Sequence, residues 1–80
     1  MTNAHPRTTE NIAYAQRERL AFIEVRSYFC GNLTRTHIEE RFGVKPAASA
    51  RDLIAYRALA PHNLQYNAAQ RCYQPTEIFR

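Results

Sequence analysis

Apolar residues first recur at helical spacing between Leu20 and Cys30, and the projection at about 100° per residue gives two sectors instead of one. Phe22, Val25, Tyr28 and Phe29 form the first, Leu20, Ile23 and Cys30 the second, with Glu24 and Arg26 between them. A helix is expected from Thr8 or Thr9, either of which can cap it, to about Cys30, where Gly31 stops it. A single small core needs only one apolar sector. The second either embeds the helix more deeply in its own domain or meets another subunit or a missing domain, and on the subunit reading Leu20 and Ile23 are the expected dimer-interface residues. Residues 1–8 lack periodicity and read as a flexible arm.

A second, short helix is expected over Thr34 to Phe42. Thr34 is a good N-cap, Leu33 can staple onto Ile38, and Ile38 and Phe42 lie one turn apart. Gly43 ends it and Val44 is a buried turn residue. Pro46 suits the first position of a third helix, because its missing N–H would be unpaired there anyway. That helix should run to about Ala60, with Ser49, Leu53, Tyr56 and Ala60 on the core side. Two helices joined by a tight Gly-Val turn make a helix-turn-helix. Past Pro61, Leu64 to Tyr66 and Arg71 to Tyr73 are short strands joined by a turn over Asn67 to Gln70, with Pro75 ending the pairing. The expected fold is mainly α, a winged helix-turn-helix of three helices followed by a β-hairpin wing. It would occupy residues 9–75, with 76–80 starting a linker to a missing C-terminal domain.

Composition narrows the class. With 80 residues this is one small domain, and no apolar run approaches the roughly 18 residues of a membrane span. No signal peptide opens the chain, so a cytoplasmic location is expected. Cys30 and Cys72 stand alone, without a CxxC or a His at zinc-site spacing, and the three histidines are widely separated. No metal or other cofactor is expected. Catalysis finds little support. Ser49, His37 and Asp52 can be assembled only on paper, no oxyanion loop accompanies them, and two glycines make no nucleotide-binding loop.

The net charge of +4 and a pI near 9.5 mildly favour an acidic polymer as partner. In a helix-turn-helix the second helix of the pair enters the major groove with its N-terminal residues toward the base edges. Ala47, Ala48 and Arg51 lie on the outward side of the third helix and Ala50 leans outward, so these four are the expected base readers. Small residues allow close approach to thymine methyls, and the Arg51 guanidinium can pair with guanine O6 and N7. Arg35, Thr36, Lys45 and Ser49, with Asn67, Gln70 and Arg71 at the wing, are the expected contacts to the DNA backbone. Glu39 and Glu40 should turn away. The rival is a winged helix used only for protein interaction or dimerisation.

Three stretches carry a family resemblance: Arg41 to Leu53 (RFGVKPAASARDL), Tyr56 to Tyr66 (YRALAP, then NLQY from Asn63), and Tyr73 to Arg80 (YQPTEIFR). They resemble the N-terminal winged domain of WYL-domain repressors that control bacterial anti-phage defence operons. The resemblance runs from about Arg19 to the end. It implies a homodimer on an inverted-repeat operator, helix one contributing to the dimer, and an effector ligand bound only at a C-terminal sensor domain missing from these residues. Ala50 departs from that pattern, since relatives commonly carry a polar residue there.

Overall fold

The computed structural model describes residues 4–79, with side chains from residue 14 onward. Three helices, α1 (Ala4–Cys30), α2 (Arg35–Phe42) and α3 (Pro46–Leu59), precede an antiparallel hairpin of β1 (Leu64–Asn67) and β2 (Cys72–Pro75). This is the expected winged helix. One boundary differs clearly: α1 begins at Ala4, so the stretch from there to Thr8 is helical and not an arm. Pro6 is no obstacle, because it falls in the first turn, where its missing N–H would have no helical acceptor. At the other end Gly31 takes φ 77° and closes the helix by donating to the Ser27 carbonyl at 3.0 Å.

Helix α2 is held by reciprocal caps. The Thr34 hydroxyl accepts from the His37 amide at 3.3 Å, and His37 Nδ1 accepts from the Thr34 amide at 3.1 Å. Gly43, at φ 68°, donates to the Glu39 carbonyl at 2.7 Å and turns the chain into α3, whose first residue is Pro46.

The cap carries a pH dependence. Burial, then the nearby Arg26 guanidinium, lowers the His37 pKa against an opposing pull from Glu40. The unfolded chain therefore takes up the proton first. The contribution of neutral His37 to stability is complete above about pH 6.5 and declines as the pH falls through the lowered folded value. His37→Gln keeps a side-chain acceptor at the third helical position without titrating in this range. Urea unfolding at pH 7.5 and 5.5 should show a smaller acid-side loss for His37→Gln than for the parent, and equal losses would remove His37 from the account.

The core is built from Ile23, Leu33, Ile38, Leu53, Tyr56 and Leu64, with Leu20, Phe22, Phe42, Val44 and Tyr73 packed around it. Ile23 is 0% exposed and Leu20 packs on the same cluster, which corrects the expectation that these two form a dimer interface. The other sector is split. Phe22 turns inward to an edge-on contact with Phe42 at 5.4 Å, whereas Val25, Tyr28 and Phe29 stay exposed. Helical projection separates the two sectors but cannot say which faces inward. Packing chooses the Ile23 side because its polar neighbours are satisfied there: Arg19 has a buried partner in α3, and the Ser27 hydroxyl donates to the Ile23 carbonyl at 2.6 Å.

In the wing, Leu64 pairs with Pro75, Gln65 with Gln74, Tyr66 with Tyr73 and Asn67 with Cys72. Arg71, expected in the second strand, lies in the turn instead, at φ 56°. Pro75 does not end the bonding, since the Thr76 amide still donates to the Asn63 carbonyl at 2.9 Å. Leu33, just before α2, adds an element that the sequence pattern does not signal. It exchanges two backbone hydrogen bonds with Tyr73, at 2.9 and 2.8 Å, and so forms a one-residue third strand.

Candidate nucleic-acid interface

The inward face of α3 is unusually polar. Its buried residues are Ser49, Asp52, Leu53 and Tyr56, and each polar one is tied to a different neighbour. The Ser49 hydroxyl lies 2.6 Å from the Glu39 carboxylate in α2 and 2.9 Å from the Pro46 carbonyl. Asp52 receives a two-pronged ion pair from Arg19 of α1, at 2.5 and 3.2 Å, and a longer contact from Gln16 at 3.4 Å. The Tyr56 hydroxyl donates to Glu24 at 3.1 Å and accepts from Asn63 at 3.1 Å. Burial raises its pKa, which keeps that donor in place. Apolar packing tolerates small rotations of a helix; directed bonds to two other helices tolerate far less. The rotation of α3, and with it the direction of its outward face, is set by this layer.

Ser49 is therefore not free to bind DNA phosphates, which corrects its assignment as a backbone contact: it is 0% exposed and engaged with Glu39. Nor do Ser49, His37 and Asp52 form a unit, each being bonded to a separate partner. Among the described residues, no group of three His, Cys, Asp or Glu side chains could hold a metal ion, and no helix is long and apolar enough to cross a membrane. Cys30 is exposed and Cys72 buried, and both are free thiols.

On the opposite side of α3, Ala47, Arg51, Ile54 and Ala58 are exposed, while Ala48 and Ala50 are half-buried. This face forms one wall of an open cleft of about 1130 Å³. The start of α2 closes one side with Arg35 and Thr36, and the wing closes the other with Tyr66 and Arg71. Arg57 projects into the same cleft, its guanidinium 5.3 Å from the centre of the Tyr73 ring. None of the residues lining it is acidic. Glu39 is turned inward to Ser49, and neither Glu39 nor Glu40 reaches the cleft.

The structure thus brings together Ala50, Arg35, Thr36 and Arg71 of the expected set and places Ala47 and Arg51 on the exposed face beside them. Lys45 stands exposed at the N-cap of α3, outside the cleft. Asn67 and Gln70 are occupied in shaping the wing tip. Asn67 Oδ1 accepts from the Gln70 amide at 3.1 Å, its Nδ2 donates to Gln74 at 3.2 Å, and the Gln70 side chain accepts from Gln74 at 3.3 Å. Ile54, Arg57 and Tyr66 join the cleft without having been expected from sequence. For the first two a signal existed, since Ile54 and Arg57 follow Ala50 at helical spacings of four and seven.

Chain comparison agrees with this geometry. Residues 15–80 match the family described as the BrxR transcriptional regulator winged helix-turn-helix domain. The DNA-binding transcriptional repressor CapW of Escherichia coli (strain KTE188) is 34% identical over 67 residues, which are 84% of this chain and 22% of that protein. The CapW repressors of Pseudomonas aeruginosa and Stenotrophomonas maltophilia are 33% and 32% identical over 67 and 72 residues, 84% and 90% of this chain but 22% and 24% of theirs. The chain spans less than a quarter of the length of these curated relatives. With its three helices and wing in that arrangement, and the match running from the middle of α1 to the end, the chain belongs to the BrxR winged helix-turn-helix family of transcriptional regulators.

Proposed function

We propose that this domain binds duplex DNA sequence-specifically as a homodimer and represses transcription of a bacterial operon of the phage-defence kind. The observation that carries the reading is the acid-free cleft, which places arginines from α2, α3 and the wing around the exposed face of a rigidly held α3. A duplex offers matching chemistry: base edges to the helix, and phosphates to the cations on either side. The CapW relatives are named as DNA-binding repressors, which supports the same function here. Such a repressor acts in the cytoplasm, where the operon is. Effector sensing is assigned to parts of such repressors that lie outside this domain.

The dimer surface proposed is the exposed row of Val25, Tyr28 and Phe29 on α1. Tyr28 sits edge-on to Phe29 at 4.9 Å and also packs against Phe79 at 5.4 Å, giving a continuous aromatic patch. A second copy covering it would bring two α3 helices onto one inverted repeat.

One experiment tests both parts. Affinity for duplexes selected from a random pool should fall steeply with salt, each neutralised phosphate adding about 0.9 to the slope of log K against log salt. Phe29→Glu, on an exposed position, should stay folded, sediment as a monomer and lose affinity on the inverted repeat. A flat salt response would favour the rival protein-interaction module, and a parent domain monomeric both free and on DNA would remove the dimer.

A further inference from the structure

The outward face of α3 sets small residues and arginines around one tall apolar side chain. Ala50 and Ala58 lie one turn either side of Ile54, beside the exposed Arg51 and Arg57; Ile54 is 70% exposed and lies on the side of the helix away from the buried Asp52 and Tyr56. A single exposed isoleucine is ordinary on a protein surface. This one is not on an ordinary surface. It stands in the cleft between Arg35, Arg57 and Arg71, where any polyanion held by the cations is pressed against it.

The geometry points to Ile54 as a specificity-determining residue that reads the C5-methyl group of a thymine in the major groove. The inference rests on the DNA-binding reading above and adds to it the identity of one contacted group. Among the base edges in the major groove, the thymine methyl is the only apolar feature, so an apolar side chain brought there gains contact at a T and only desolvates polar edges elsewhere. Ala50 and Ala58 leave room for a duplex to approach Ile54 from either turn, and the flexible arms of the exposed Arg51 and Arg57 can turn aside toward base edges or phosphates. Isoleucine is branched at Cβ and takes essentially one χ1 rotamer within a helix, so docking against a base costs it little side-chain freedom. Arg57, resting on Tyr73 one turn further along, fixes the phosphate side of the same cleft and limits how far the duplex can shift relative to Ile54.

Deoxyuridine provides the test, because it pairs as thymidine does and lacks only the methyl. A duplex selected from a random pool by the 80-residue chain is resynthesised with each thymine singly replaced by deoxyuridine. Affinities are then measured for the parent and for Ile54→Ala, with folding checked by circular dichroism. At one thymine per half-site the parent should lose about fourfold in affinity for each methyl removed. Ile54→Ala should bind the thymine duplex more weakly by a similar factor and no longer distinguish it from the deoxyuridine duplex. A parent indifferent to every replacement overturns the inference while leaving DNA binding intact. So does an Ile54→Ala variant that keeps the full deoxyuridine penalty, which would pass the methyl contact to an alanine such as Ala47. Failure to select any duplex removes the DNA-binding reading and this inference with it.

Discussion

Arg19→Ala should cost about 3–5 kcal/mol of folding stability, measured by urea unfolding at neutral pH. Asp52 is 0% exposed and its carboxylate is bound by Arg19, whose side chain is itself 16% exposed. Removing the guanidinium leaves a buried negative charge with only the longer contact from Gln16. The alanine also gives up the packing of the arginine stem along α1. For a domain of this length the whole stability is about 4–12 kcal/mol, so much of the population could unfold. The double variant Arg19→Met, Asp52→Leu removes both charges and refills the space, and it should recover most of the loss. It should also loosen the setting of α3, so its DNA affinity is expected to stay below the parent's even where its stability does not. A loss under about 1 kcal/mol for Arg19→Ala would mean that Asp52 is adequately hydrated without its partner.

Arg51→Ala is expected to weaken binding to a selected duplex by about 1–3 kcal/mol and to relax preference at one base pair per half-site, with a smaller effect on a scrambled duplex. Arg51 is exposed on the outward face of α3 and makes no ion pair among the described residues. Arg35 and Arg71 line the two flanks of the cleft, where phosphates would lie. Their removal should weaken both duplexes alike and lower the salt slope by about one for each phosphate no longer neutralised. At position 71 the replacement should be alanine. Arg71 already holds a Cβ at φ 56°, so alanine leaves that backbone cost unchanged and removes only the charged arm, whereas glycine would also relieve the strain and loosen the turn. Affinities for both duplexes across a salt series separate the outcomes. Equal losses on the two duplexes for Arg51→Ala would make that residue a phosphate clamp, and base reading would pass to Ile54 and its neighbours.

Much of the fold is legible because its signals are local. Thr34 capping α2, Gly43 ending it and Pro46 opening α3 each act within a few residues of themselves, and they place the helix-turn-helix directly. What sequence does not supply is direction. Two apolar sectors on α1 look equivalent until α2 and α3 cover one of them, so Ile23 reads as an interface residue when it is core. Ser49 and Asp52 present the same difficulty in polar form. Their partners, Glu39 and Arg19, lie 10 and 33 residues away in the chain, and no spacing rule reports such a pairing. Asp52 does leave a trace, since a carboxylate between Ser49 and Tyr56 on the inward side of a helix must find a cation. The cleft is half legible: Arg35 and Arg71 follow from where this motif meets a backbone, whereas the Arg57–Tyr73 contact appears only once the wing is folded against α3.

The short bridge between Leu33 and Tyr73 also bears on how the domain meets its target. An isolated two-stranded hairpin is marginal in water and samples many orientations. Here the second strand is anchored in its middle to the start of α2, so the hairpin stem swings only if those two hydrogen bonds and the buried Leu33 give way together. Fixing a loose hairpin on association would lose about 1 kcal/mol or more of conformational entropy for each residue ordered, and in this domain that ordering is completed during folding. The backbone positions that carry Arg71 and Arg35 are consequently set before any encounter, like the jaws of a fixed caliper. On the proposed DNA-binding reading, a duplex whose groove width does not suit that gauge would itself have to deform to fit, and the domain would then discriminate among sequences by their stiffness at positions it never touches.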